Sequence, residues 1–116
     1  MKSQGGGQII NVSSIGGHAT YPTAAVYCAT KYAVVAISEG LRQENSDIRV
    51  TVISPGVTTS ELAETITHED SANYMEEFRQ VAIPADAIAR AISYAIEQPA
   101  DVDVSEVIVR PTASSY

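Results

Sequence analysis

The chain has 116 residues, 45% of them hydrophobic, and carries a formal charge of −7 with an isoelectric point near 4.6. That length supports a single domain over residues 1–116 with a modest core. The seven lysines and arginines are scattered among fourteen carboxylates, which excludes a nucleic-acid partner, because phosphate binding needs clustered cations. From the start of the chain, "MKSQGGGQII" lacks the long apolar core of a signal peptide, and its "GGG" at Gly5 to Gly7 reads as a turn or linker. Gln8 to Ser14, "QIINVSS", is a β-branched apolar run stopped by Gly16 and Gly17, so it reads as a buried strand with Ser13 and Ser14 at its C-terminal edge. Asn11, inside that strand, reads as fixing neighbouring backbone.

Ala24 to Glu44 follows Pro22, contains no proline and is rich in alanine, which gives a helix of about five turns. Its apolar positions, Ala24, Val26, Ala29, Ala33 to Ile37 and Leu41, cover most of the circumference, so it must be covered on more than one side. One side packs on the sheet; the other is expected to meet a second copy of the chain. Tyr32 to Ile37 is the longest apolar run and is too short to cross a bilayer. Arg49 to Ser54, "RVTVIS", is a second strand ended by Pro55 and Gly56. Thr58 to Gln80 holds six carboxylates and reads as one or two short surface helices. Pro84 opens a further helix, "PADAIARAISYAIEQ", and "SEVIVRP" is a third strand. Strand and helix in alternation imply an α/β fold with a parallel sheet and flanking helices.

The chemistry is concentrated in "VYCATK", Val26 to Lys31. Residues four apart on a helix share a face, so Tyr27 and Lys31 approach one another. A free phenol, with a pKa of about 10, is a poor proton donor or acceptor near neutrality. A cation about 4 Å away would favour the phenolate by ~4 kcal/mol at an effective dielectric near 20. Cys28, the only cysteine, rules out an internal disulfide and reads as a small packing residue. His18 and His68 lie in no metal-ligand spacing. "NVSSIGG" lies just upstream of the tyrosine, and "SPGVTTSEL" ends the next strand. In a parallel sheet the ligand crevice lies at the C-terminal ends of the strands, where all three features fall.

In combination these motifs resemble the C-terminal half of the short-chain dehydrogenase/reductase family, nicotinamide-dependent oxidoreductases with a Rossmann fold. The resemblance implies carbonyl–alcohol interconversion by hydride transfer on a small-molecule substrate, with NADP or NAD as cofactor and a tilt toward NADP. It makes Ser14 the hydrogen-bond donor to the substrate oxygen and Tyr27 the proton donor or acceptor. Lys31 would hold the ribose hydroxyls and favour ionisation of Tyr27. Pro55, Gly56, Val57 and Thr58 would border the carboxamide, and Ser60 stands where the family commonly has a threonine that contacts the cofactor.

The family's glycine-rich turn between its first strand and helix, which receives the pyrophosphate, has no counterpart: Gly5 to Gly7 precede the first strand, and Gly16-Gly17 follow the serine. The expectation is therefore half a doubly wound fold, inactive alone and binding cofactor poorly, in a cytoplasmic setting. Two other readings stay open. One is a non-catalytic truncated remnant or oligomerisation module. The other is a serine hydrolase using Ser14 with Lys31 or His18, although no Gly-x-Ser-x-Gly elbow is present. Tyr21 and His18, in the loop after Ser14, either border the substrate or face solvent. No substrate identity is legible.

Overall fold

The computed structural model describes residues 6–58 and 82–113. Ser60, and nearly all of the acidic segment expected to form surface helices, lie outside the described residues. Strand β1 (Gly7–Val12) leads into a 3-10 turn at Ile15–Gly17, then helix α1 (Ala25–Glu44), strand β2 (Ile48–Pro55), helix α2 (Ala85–Ile96) and strand β3 (Glu106–Val109). The strands form a sheet in the order β1-β2-β3. Both pairings are parallel, with Gly7 opposite Ile48 and Val12 opposite Ile53 in one, and Val52 opposite Glu106 and Pro55 opposite Val109 in the other. This is the expected α/β order, and a Rossmann-like parallel sheet with flanking helices.

The central strand shows why the sheet is stable. Successive side chains of a strand point to opposite faces, yet Val50, Thr51, Val52, Ile53 and Ser54 are all buried, so both faces of β2 are covered. This matches the β-branched, non-alternating run that a doubly covered parallel strand requires. On one face, Val35, Ser38 and Glu39 of α1 meet Val50 and Val52 around a small cleft. From β1, Gln8 Nε2 donates to the Ala95 carbonyl of α2 at 3.2 Å. Ala95 and Cys28 are fully buried, and Cys28 is the packing residue its size suggested.

β1 departs from expectation in two ways. It is only half-buried, with Val12 largely exposed, because it lies at an edge of the sheet. It also ends at Val12, two residues early. Ser13 N–H still donates to the Ile53 carbonyl at 2.7 Å, but the Ser14 hydroxyl turns to cap the 3-10 turn by accepting from Gly16 N–H. Asn11 differs too: its Nδ2 donates to the Ser38 hydroxyl at 2.8 Å, and Ser38 donates to the Val34 carbonyl at 2.7 Å. The asparagine therefore bonds a helix side chain rather than nearby backbone.

The chain enters α1 through Thr23, whose φ of 65° lies in the left-handed region that β-branched residues rarely occupy. Ala24 precedes the helix without a side-chain cap. Along the helix, Val26 is 80% and Ile37 62% exposed. The apolar surplus seen in the sequence is thus real surface on the side turned from the sheet.

Candidate functional site

Ser14, Tyr27 and Lys31 come from two elements that are tied to each other beside the C-terminal end of the sheet. Ser13 Oγ donates to the Lys31 carbonyl at 2.9 Å, fastening the exit of β1 to the second turn of α1. Gly17 makes the tie possible: a Cβ there would lie 2.8 Å from Ser13 Oγ and 3.1 Å from the Lys31 carbonyl oxygen. Gly16 plays the same part for the side chains. A Cβ at Gly16 would sit 3.2 Å from Tyr21 Oη, 3.2 Å from Tyr27 Cε1 and 3.5 Å from Cys28 Sγ. A side chain at Gly17 would force Ser13 Oγ to move, and one at Gly16 would require the Tyr21 and Tyr27 side chains to give by a few tenths of an ångström.

Around this point the three expected residues have distinct settings. Ser14 is 7% exposed, and its Oγ accepts from Gly16 N–H at 3.1 Å. Tyr27 is 41% exposed, so its ring edge touches the turn while the side chain remains open to solvent. Lys31 Nζ lies over the Tyr27 ring, 5.5 Å from its centroid, the arrangement in which a cation meets the negative face of an aromatic ring.

Pro55, Gly56, Val57 and Thr58 leave the C-terminal end of β2, the same end of the sheet as Ser13 and Ser14. Gly56 N–H donates to the Val109 carbonyl at 2.6 Å, Thr58 Oγ1 donates to the Gly56 carbonyl at 3.0 Å, and Ile83 N–H donates to the Val57 carbonyl at 3.2 Å. These bonds hold the segment to β3 and to the start of the next helix; they do not join it to Ser14, Tyr27 or Lys31.

Two neighbours, left open in the sequence between bordering a substrate and facing solvent, have defined partners. His18 Nε2 lies 2.6 Å from Glu106 Oε2, and Ser54 Oγ donates to the same carboxylate oxygen at 3.1 Å. The imidazole nitrogen is thereby turned to β3, which disfavours its use as a base for Ser14. Tyr21 is half-buried, and its phenol hydrogen-bonds with Ser14 and Cys28. Burial, and the nearby Tyr27 and Cys28, push its pKa up to about 12, so it stays a protonated phenol throughout the ordinary working range. The sequence signal for Tyr21 was only its place in the short loop between serine and tyrosine, and His18 had in addition the hydrolase reading beside Ser14.

The fit of a nicotinamide dinucleotide is uneven. Lys31 offers three donors and Tyr27 a hydroxyl, groups suited to a ribose, whereas in the 55–58 segment Pro55 has no N–H and Gly56 N–H is already given to the Val109 carbonyl. The pyrophosphate finds no comparable place among the described residues. Gly16 and Gly17 are filled by protein atoms, and Gly6 faces the Asp47 carbonyl oxygen, which a Cβ would approach to 2.5 Å. A carbonyl oxygen is an acceptor and repels phosphate oxygens. Among the described residues no group of three or more His, Cys, Asp or Glu could hold a metal ion, and no helix is long and apolar enough to cross a membrane.

Comparison with known proteins agrees with this architecture. A family model described as short chain dehydrogenase matches residues 1–71. An uncharacterized oxidoreductase of Staphylococcus saprophyticus is 49% identical over 119 aligned positions, covering 99% of this chain and 48% of that protein. Human dehydrogenase/reductase SDR family member 11 is 36% identical over 113 positions, covering 91% of this chain and 44% of that one. Among solved structures, the closed form of serine dehydrogenase complexed with NADP+ superposes with a TM-score of 0.85 at 28% identity, over 98% of this chain and 48% of that one. Serine dehydrogenase from Escherichia coli gives 0.79 at 27% identity, over 100% and 45%. The chain thus spans about half the length of the curated relatives it matches, and on the family match and the shared fold it belongs to the short-chain dehydrogenases.

Proposed function

We propose that this chain supplies the Ser–Tyr–Lys part of an NAD(P)-dependent oxidoreductase that interconverts a carbonyl and an alcohol, and that it corresponds to the C-terminal half of the family's fold. The observation that carries the reading is the convergence at Gly16 and along α1: Ser14 and the Tyr27 ring edge meet at one glycine, with the Lys31 ammonium over that ring. When bound, the nicotinamide supplies or accepts the hydride.

The chain's own residues do the rest. In reduction Tyr27 gives its hydroxyl proton to the substrate oxygen and later regains one from solvent. Ser14 Oγ–H donates to the same oxygen and stabilises the charge that develops there. Lys31 places a positive charge beside the phenolate left on Tyr27 and would donate to the ribose hydroxyls of the bound cofactor. Pro55, Gly56, Val57 and Thr58 would border the carboxamide, and Ser60, outside the described residues, is the next candidate contact by sequence alone. The NADP+ complex of serine dehydrogenase supports a tilt toward NADP.

Because the described residues offer no pyrophosphate cradle, the isolated chain is expected to bind NADPH or NADH poorly and to turn over no substrate. Calorimetric titration giving micromolar affinity would overturn that part. The catalytic part is tested by co-expression with a first half carrying a Gly-x-x-x-Gly-x-Gly turn, followed by a carbonyl screen that reads loss of NADPH or NADH absorbance. Turnover of at least one carbonyl is expected, and failure with every carbonyl in that pairing would reject it.

The exposed apolar side of α1 supports a second reading, a contact with another copy of the chain. Val26 and Ile37 are exposed there, and alanines between them allow close approach. Sedimentation of the Ile37→Glu variant is expected to show a monomer where the parent associates; equal association in both would sink the contact.

A further inference from the structure

His18 and Glu106 take no part in the mechanism above, yet they join the turn that carries its serine to β3. Ser14 caps one end of the 3-10 turn and His18 the other. Three hydrogen bonds run between them: Gly16 N–H to Ser14 Oγ at 3.1 Å, Gly17 N–H to the Ser14 carbonyl at 2.8 Å, and His18 N–H to the Ile15 carbonyl at 2.9 Å. A turn this short and this bonded has little slack, so a restraint on His18 is felt at Ser14. On the sheet, Glu106 stands opposite Val52, and alternation along β2 puts Ser54 on the same face. There Ser54 Oγ donates to Glu106 Oε2 at 3.1 Å, and His18 Nε2 meets the same oxygen at 2.6 Å.

The protons of this cluster can be counted. A carboxylate only accepts, and each of its oxygens has two lone pairs. Glu106 Oε2 accepts from Ser54 Oγ–H and from His18 Nε2–H, so the imidazole carries a proton on Nε2 whether the ring is neutral or charged. The 3.4 Å separation of Ser54 Oγ from His18 Nε2 is then two donors converging on one acceptor. Ser54 is fully buried and holds Oε2 from the side of the sheet, while the His18 and Glu106 side chains stay 28% and 30% exposed. An ion pair that open to water adds little to stability, so its effect belongs to geometry rather than to folding. We propose that His18 and Glu106 are positioning residues: their bond ties the end of the serine turn to β3 and so fixes the direction in which Ser14 Oγ presents its proton to a substrate oxygen. Ser13, just before the turn, is fastened to the Lys31 carbonyl of α1 and the Ile53 carbonyl of β2. His18 supplies the second fastening, just after it.

The proposal rests on the oxidoreductase reading, and its test separates the two. In the co-expressed enzyme, His18→Ala is expected to lower kcat about 5-fold, a modest loss because the pair is partly in water, with the KM for NADPH unchanged. His18→Gln, whose side-chain N–H can reach the same carboxylate, is expected to restore most of that loss. In a Ser14→Ala background His18→Ala is expected to have no further effect on kcat, because it acts only through the serine. An equal loss in both backgrounds, or no recovery with glutamine, would overturn the role. The pairing is read without turnover, from the side-chain 15N resonances of His18 in histidine-labelled chain near neutral pH, assigned by their loss in His18→Gln. Nε2 is expected at the position of a protonated nitrogen, to move in Glu106→Gln, and to stay in place in the remote variant Ser93→Ala. A bare Nε2, or one that ignores Glu106→Gln, would overturn the pairing even if the enzyme is active. An inactive parent with a responsive Nε2 would instead reject the oxidoreductase reading, and with it the kinetic role assigned to both residues.

Discussion

Tyr27→Phe is expected to lower kcat/KM for carbonyl reduction by about 10²- to 10⁴-fold, the range that a positioned acid or base contributes. The substitution removes one oxygen and keeps the ring, so the edge that packs at Gly16 and the face beneath Lys31 both survive. Tyr27 is 41% exposed, and surface changes of this kind usually alter stability by less than about 0.5 kcal/mol. Denaturation midpoints of parent and variant should therefore agree while turnover does not. Stopped-flow measurement of a single turnover is the decisive check, since it isolates the chemical step from product release. Full activity in the phenylalanine variant would remove the tyrosine from the reaction and leave the chain's likeness to oxidoreductases without its proton donor.

Ser14→Ala is the second large effect, a fall in kcat of about 10²- to 10³-fold, as for the removal of one donor to a developing oxyanion. Here a structural cost accompanies the catalytic one. Ser14 Oγ is the acceptor for Gly16 N–H, and losing that acceptor costs about 0.5–2 kcal/mol, as for other caps. The two contributions separate by measurement: denaturation reports the cap, and single-turnover rates at a temperature where both proteins are folded report the donor. If rate and stability fall together and a stabilising osmolyte restores both, Ser14 is only a cap.

The order of elements is legible in the sequence because each rests on a local signal. "RVTVIS" is β-branched on both faces and bounded by Pro55-Gly56, and it is β2; "ADAIARAISYAI" has helical periodicity behind a proline, and it is α2. Boundaries are less legible. Ser14 has φ −167° and ψ 164°, still extended, so nothing local marks the end of pairing after Val12. What separates β1 from the turn is a side chain folding back onto Gly16 N–H, a bond that depends on the turn that follows it.

The candidate site divides in the same way. Four-residue helical spacing brings Tyr27 and Lys31 onto one face by geometry alone, although the ammonium lies over the ring, 5.5 Å from its centroid, rather than in the simple charge contact used to estimate its effect. The closeness of Ser14 to that helix depends on Gly16 and Gly17 having no side chains, and two glycines in a loop look the same whether they make a turn or admit a neighbour. Tyr21 and Asn11 are harder still. Their partners, Ser14 and Ser38, are hydroxyls brought near by tertiary packing, and no periodicity of the chain encodes such a meeting.

The bond from Ser13 to the Lys31 carbonyl has a consequence for how this scaffold can diversify. It spans the loop between them, tying the exit of β1 to the second turn of α1 by a contact that residues 18–24 do not make. Insertions in that loop would leave this tie in place, so the length of the loop and the spacing of Ser13 from the helix can change separately.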